Sequence, residues 1–178
     1  MLLCFPVTIR GGGVLQDYNE AAKWYRKSAE QDYWPAQFNL GLKYYLGLGV
    51  TQDYKEALKW YRSSAEQGYA KAQFNLGLMY ERGKGVTQDP KEAGKWIRKS
   101  AEQGHAKAQG NLGVMYGIGR GVLQDNVYAH MWFNIAATNG NKNGVKGRDV
   151  VAKMMTKEQI AEAQKLAREC LRKKYKGC

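Results

Sequence analysis

Apolar positions in this chain follow two superposed rhythms. Within short words they fall at i, i+3, i+4, i+7 and i+8, the spacing of a buried stripe on an α-helix. Across the chain the words themselves return every 36 residues, as Trp24, Trp60, Trp96 and Trp132 mark. The word from Asp17 reads DYNEAAKWYRKSAEQ, that from Asp53 DYKEALKWYRSSAEQ and that from Asp89 DPKEAGKWIRKSAEQ, with a looser copy from Asp125. Between them stand AQFNLGLKYYLGLGV from Ala36, AQFNLGLMYERGKGV from Ala72 and AQGNLGVMYGIGRGV from Ala108. A repeat of this length is the signature of a solenoid, because one supersecondary unit cannot bury its apolar face without neighbours.

Each unit therefore predicts two helices. In the first word, called B, the stripe is Ala57, Trp60, Tyr61, Ser64 and Ala65, with Lys55, Lys59, Arg62 and Glu66 left for water. The pairs Asp17 and Glu20, Asp53 and Glu56, and Asp89 and Glu92 read as capping boxes. In each, the aspartate accepts from first-turn amides and the glutamate reaches back to the cap. Pro90 suits a first helical position, and Gly68, Gly104 and Gly140 read as left-handed stops. In the second word, called A, the stripe is Ala36, Leu40, Gly41 and Tyr44 with its equivalents. A glycine inside a helix costs roughly 0.5–1 kcal/mol, so its return at Gly41, Gly77 and Gly113 predicts a point where another helix backbone comes too close for a side chain. Helix A ends in turns at Gly47, Gly83 and Gly119, followed by Val50, Val86 and Val122 packed beneath.

The unit AxxxLGxxYxxGxGV followed by DxxEAxxWYxKSAEQG resembles the Sel1-like repeat, a relative of the tetratricopeptide repeat with a longer inter-helix loop. The end of the chain, MWFNIAATNGN and then RDVVAKMMTKEQIAEAQKLARE, resembles the closing segment of bacterial members. The resemblance implies an all-α fold, a right-handed superhelical solenoid of antiparallel helix pairs, and a non-catalytic adaptor or scaffold that binds a protein or peptide. Three regions are expected: a degenerate segment over 1–16, the repeat array over 17–140, and capping helices with a basic tail over 141–178. Thr156 and Gln159 form a capping box, and Ile160, Ala163, Ala167, Cys170 and Leu171 give a stripe able to seal the last repeat.

In tetratricopeptide relatives, ligands lie on the concave face and touch A-helix residues around the Leu-Gly pair. Carried over position by position, that face is Phe38, Leu42 and Tyr45, then Phe74, Leu78 and Glu81, then Gly110, Val114 and Gly117, with Lys71 and Lys107 at its edge. Phe38 with Leu42 and Phe74 with Leu78 are either packing between A helices or the ridges of a groove. Asn39, Asn75 and Asn111 serve either a ligand backbone or a neighbouring loop. A carboxylate clamp needs Lys and Asn where Phe38 and Leu42 stand, and none is expected. Trp34, which has no counterpart in later units, is either a contact or a filler against the odd first repeat.

That first repeat is odd because residues 1–10 occupy an A-helix position with none of its word and with Pro6 inside it, where a proline costs about 3 kcal/mol. One side of Trp24 and Tyr25 is then left for Leu2, Leu3, Phe5, Val7 and Ile9, or for a second molecule, so self-association through this end is an expectation.

Charge adds a second candidate surface. The net charge is +12, and residues 139–178 hold 11 Lys and Arg against 4 Asp and Glu. Lys165, Arg168, Arg172 and Lys176 follow at helical steps and read either as a solvated cap face or as a contact for nucleic acid or another acidic partner. A single tail aromatic, Tyr175, and the lack of a reading motif weigh against nucleic acid. His105 and His130 have no metal-spaced neighbours, and Gly83 to Thr87 lacks the spacing of a phosphate loop. No enzyme activity, cofactor or metal is expected.

Cys4, Cys170 and Cys178 do not repeat with the unit, unlike the disulfide-stapled branch of the family. Cys170 reads as a small core residue, with no support for an oxidising compartment. No run approaches the ~20 apolar residues of a membrane span. The first ten residues make no convincing signal peptide, so the cytoplasm is the default expectation, with the periplasm or secretion if the start is misplaced.

Overall fold

The computed structural model describes residues 18–178. The cap at Asp17, the cover from residues 1–10 and Cys4 lie outside the described residues. Among the described residues there are nine helices and no strand: α1 (Tyr18–Ala29), α2 (Trp34–Leu46), α3 (Tyr54–Glu66), α4 (Ala70–Arg82), α5 (Pro90–Ala101), α6 (Ala106–Ile118), α7 (Asn126–Thr138), α8 (Lys142–Ala152) and α9 (Lys157–Arg172). Each helix from α1 to α8 packs on the next, so B helices (α1, α3, α5, α7) alternate with A helices (α2, α4, α6). The helix α8 continues the A row against α6 and α7, and α9 lies on α7. This is a helical repeat solenoid.

The B stripe is the one the spacing predicts, for Ala57, Trp60, Tyr61, Ser64 and Ala65 are the buried residues of α3. The aspartate caps are also in place. Asp53 accepts from the Lys55 and Glu56 amides, Asp89 from Lys91 and Glu92, and Asp125 from Val127 and Tyr128. The glutamates do not close the boxes. The Asp53 amide already donates to the Tyr44 carbonyl at 3.0 Å, and the Asp89 amide to Tyr80. With the cap amide taken, Glu56 accepts from Trp60 Nε1 at 3.0 Å, and Glu92 pairs with Lys95 at 2.8 Å. A glutamate with no amide to reach back to stays on its own helix face.

The glycines of the A word admit a B-helix side chain first, with helix backbone close behind it at two of them: the Ala57 carbonyl would stand 3.3 Å from a Cβ at Gly41 and the Ala93 carbonyl 3.1 Å from one at Gly77. A Cβ at Gly41 would stand 2.8 Å from the Tyr61 ring, and one at Gly113 would stand 2.8 Å from the Phe133 ring. At Gly77 the nearest atom is Ile97 Cγ1, with the Ala93 carbonyl behind it. The large B residue lies flat across the A helix, and glycine makes room for it. Backbone comes closer still at the turns. Gly85, at φ +71°, would put a Cβ 2.3 Å from the Tyr54 carbonyl, and Gly49 and Gly121 meet the start of a B helix in the same way.

A feature that the apolar pattern hides is a ladder of buried amides. Gln37, Gln73 and Gln109 are at most 5% exposed. Each donates to the last-turn carbonyl of the preceding B helix, at Ala29, Ala65 and Ala101, one of the acceptors a helix end leaves unpaired. Each in turn accepts, from Gln67, Gln103 and Asn139 at 2.7–2.8 Å. Ser64 and Ser100 add bonds to the Trp34 and Ala70 carbonyls. Buried polar groups are tolerable only when partnered in this way.

The ladder ends on the tail. Tyr175 stands one period after Asn139, exchanges hydrogen bonds with it at 3.0 and 3.1 Å, and lays its ring against Gly104. The turn that carries it has left-handed residues at Lys174 and Tyr175 and is closed by a Cys170–Cys178 disulfide. The expectation for Cys170 therefore needs correction. It is buried, but it is half of a bond that fixes the turn beneath Tyr175. The pairing joins residues 8 apart within the tail, so it is not the helix-pair staple of the disulfide-rich branch.

Candidate partner-binding surface

The A helices present one continuous face, and its relief changes along the array because one column of side chains shrinks. In the first unit Phe38 packs edge-on against Tyr69, the residue that opens the next A helix, with ring centroids 5.0 Å apart. In the second, Phe74 meets His105 at the equivalent place, also at 5.0 Å. In the third the pair is Gly110 and Asn141. A Cβ at Gly110 would stand 2.7 Å from Asn141 Nδ2, which crosses that space to donate to the Ala106 carbonyl. Two aromatic rings have become a hydrogen atom and a short amide, and a groove opens there.

That groove, about 360 Å³, is lined by Phe74, Lys107, Gly110, Asn111, Val114, Phe133, Asn141, Asn143 and Gly147. It continues along α6 and α8 into a second stretch of about 300 Å³ bounded by Val114, Gly117, Ile118, Phe133, Lys146, Gly147, Val150, Val151 and Met154. Phe133 forms the floor of both and is only 6% exposed. Gly147 keeps the α8 wall down on it, since a Cβ there would stand 2.5 Å from the ring. Val114, Ile118, Val150 and Met154 are 47%, 62%, 58% and 59% exposed, an apolar strip with no partner of its own. The polar end, with Lys107, Asn111, Asn141 and Asn143, lies at the two helix N-termini, whose dipoles favour negative charge.

A smaller groove of about 250 Å³ separates α2 from α4, between Leu42, Tyr45, Leu46, Leu78 and Arg82. Tyr61 lies beneath, its phenol pushed above the usual range by burial, with Asn75 bonded to it. Across all three stretches the charged lining residues are Lys107, Lys146 and Arg82, with no carboxylate among them.

The residues carried over from tetratricopeptide geometry thus divide. Leu42, Tyr45, Leu78, Lys107 and Val114 line grooves. Phe74, 9% exposed, belongs to the core and also forms one end wall of the larger groove, while Phe38 is half-buried against Tyr61 and Tyr69. Glu81 is taken up by Arg120 in a 2.6 Å ion pair. Lys71 is exposed. Trp34 is 39% exposed with its ring 4.4 Å from that of Tyr69. Asn39 and Asn111 donate to the carbonyls of Pro35 and Lys107 one turn back in their own helices. Apolar exposure at Val150 on α8 and at Met154 just after it escaped sequence reasoning because this segment carries no copy of the A word. Its position after a fourth B helix was the available signal.

Both histidines are held below the ordinary imidazole range. Burial is the larger cause for His105, reinforced by Lys107 and Lys71. For His130 burial again leads, with Arg148 adding and Asp149 opposing. On the outer side, Lys165, Arg168, Arg172 and Lys176 are all exposed, and among the described residues none of the four is paired with a carboxylate. No described cluster of three or more His, Cys, Asp or Glu is placed to hold a metal ion. Among the described residues no helix is long and apolar enough to cross a membrane.

The Sel1 repeat family model matches four times in succession, over residues 9–33, 34–69, 70–105 and 106–141. Among solved structures, the chain is similar to c5321, a protective antigen present in uropathogenic Escherichia coli strains displaying an SLR fold. The TM-score is 0.81 at 42% identity, covering 88% of this chain and 33% of that one, so this chain spans about a third of the antigen's length. A Sel1 repeat protein from Oxalobacter formigenes gives a TM-score of 0.66 at 36% identity, over 71% of this chain and 96% of that one. The cysteine rich protein B of Helicobacter pylori gives 0.59 at 22% identity, over 76% and 98%, a likeness of fold. No curated protein matches.

Proposed function

This chain belongs to the Sel1 repeat family, whose repeats generally mediate protein–protein interactions, and we propose that it works as a non-catalytic adaptor that holds a peptide or protein partner on the concave face of its A helices. The observation that carries this reading is the pair of apolar grooves between α2 and α4 and between α6 and α8, both between successive A-row helices. Exposed apolar strips of this kind, rimmed by polar groups, mark interaction sites. Lys165, Arg168 and Arg172 of α9 and Lys176 just beyond it are exposed, and the groove beside them is small, about 60 Å³, with Tyr128 as its one aromatic, which supports a solvated cap over a nucleic-acid contact.

Leu46 and Val114 are 49% and 47% exposed and stand one in each groove. A Leu46→Asp/Val114→Asp double variant should keep the helical circular dichroism of the wild type and lose at least tenfold in retention of the partner captured from the source cell. A Lys55→Glu control on a B helix should retain it. Equal retention by both variants would contradict the placement of the partner on the A face.

A further inference from the structure

We infer that the groove between α6 and α8 is the principal docking site and that its occupant is a short peptide segment combining apolar side chains with carboxylates. The inference rests on the adaptor reading and narrows it to one site and one ligand chemistry.

Position comes from the shrinking column. The equivalent space is filled by Phe38 against Tyr69 in one unit and by Phe74 against His105 in the next, whereas in the third Gly110 and the short Asn141 amide fill less of it and line a groove. A repeat that only needed to stack would keep the aromatic pair, which contributes about 0.5–1.5 kcal/mol beyond its area. Here the volume is left to a ligand. Gly117 and Gly147 extend the opening along the helices to the exposed strip of Val114, Ile118, Val150 and Met154. The strip is unlike the rest of the A face in that half of it comes from α8 and the turn that follows, which lack the repeat word.

Ligand chemistry comes from charge. The walls hold Lys107 at the polar end and Lys146 at the apolar end, with no carboxylate. The one acidic residue of the neighbouring A helix, Glu81, is neutralised by Arg120. Two parallel helix N-termini add positive potential at the end where Lys107 stands. A basic peptide is repelled at both ends, and a purely apolar one leaves Lys107 and Lys146 unanswered. An acidic and apolar segment answers both features: its carboxylates pair with the two lysines, and its side chains cover Phe133 and the strip. Complementarity of this sort sets partner choice and association rate.

The test is selection of a random twelve-residue phage-displayed library on the full-length protein, followed by titration of the enriched peptides. Enrichment of sequences joining Leu, Ile, Phe or Met with Asp or Glu is expected. Affinity should fall at least tenfold in Ile118→Asp/Val150→Asp. It should fall severalfold in Lys107→Glu/Lys146→Glu, with a weaker dependence on salt. Circular dichroism and thermal melting should show that both variants fold. Enrichment of basic peptides, affinity indifferent to these four substitutions, or no enrichment above the bare support would overturn the inference. Peptides that depend on Leu42 and Leu46 instead would overturn the site while leaving the adaptor reading standing. Loss of partner retention in Leu46→Asp/Val114→Asp tests that reading separately.

Discussion

Two histidines carry a pH signature, since both stand where the repeat otherwise places an uncharged residue. His105 occupies the place of Tyr69, and His130 that of Leu58. Each is held below its ordinary value, first by burial. In the unfolded chain these imidazoles take up protons as pH falls below about 6.5, while in the folded chain they do so only at lower pH. The stability they leave intact at neutral pH is therefore lost as pH falls from about 6.5 through the folded values. Urea midpoints should decline from pH 7.5 to 5.5. The slope should flatten in His105→Tyr/His130→Leu, which restores the residues of the earlier units. An unchanged slope in the double variant would show that other groups titrate in that window. At this same scale, sequence reading was partial. The caps at Asp53 and Asp89 were visible because their chemistry is local. The fates of Glu56, Glu81 and Cys170 depend on groups 4, 39 and 8 residues away, at Trp60, Arg120 and Cys178, and no pattern in the chain specifies which of several possible partners is met.

Helices lock to one another through the amide ladder and, at the outer rim, through Arg26 to Tyr44, Arg62 to Tyr80 and Arg98 to Tyr116, each pair joining a B helix to the following A helix. The ladder was present in the sequence as a glutamine after the first alanine of every A word. An amphipathic reading assigns glutamine to water, and only the neighbouring carbonyls reveal that it is buried. Its last rung is closed by Tyr175 on Asn139, beneath the turn the disulfide fastens. A loop of this size is worth about 2.5 kcal/mol on the chain-entropy account. Cys178→Ser should therefore lower unfolding free energy by about 2 kcal/mol and speed hydrogen exchange at residues 172–177. It should leave α2 to α4 unchanged, because terminal units contact only their neighbours. Uniform destabilisation of all exchange-protected helices without local loss at the tail would contradict the placement of this turn.

Over the described residues the molecule is a stack whose relief follows from how the repeats depart from one another. The period and the helix pairs were legible because stacking demands the same residues in each unit. The groove was less so, for it arises where the third copy omits Phe and the fourth A helix omits the word altogether. In sequence, Gly110, Val114 and Gly117 are merely the smaller residues of the carried-over face. The structure shows a trough there, because Gly113 and Gly147 leave room for the Phe133 ring as its floor and its walls rise on α8. A repeated position favours architecture, and a broken one favours a ligand. The most direct measurement of this account is site-specific photo-crosslinking in the source cell, with a benzoylphenylalanine placed in turn at Ile118, Val150, Lys55 and Lys95. The account predicts a discrete adduct from Ile118 and Val150, absent from Lys55 and Lys95 on the B helices. Adducts formed only from the B-helix positions would contradict it.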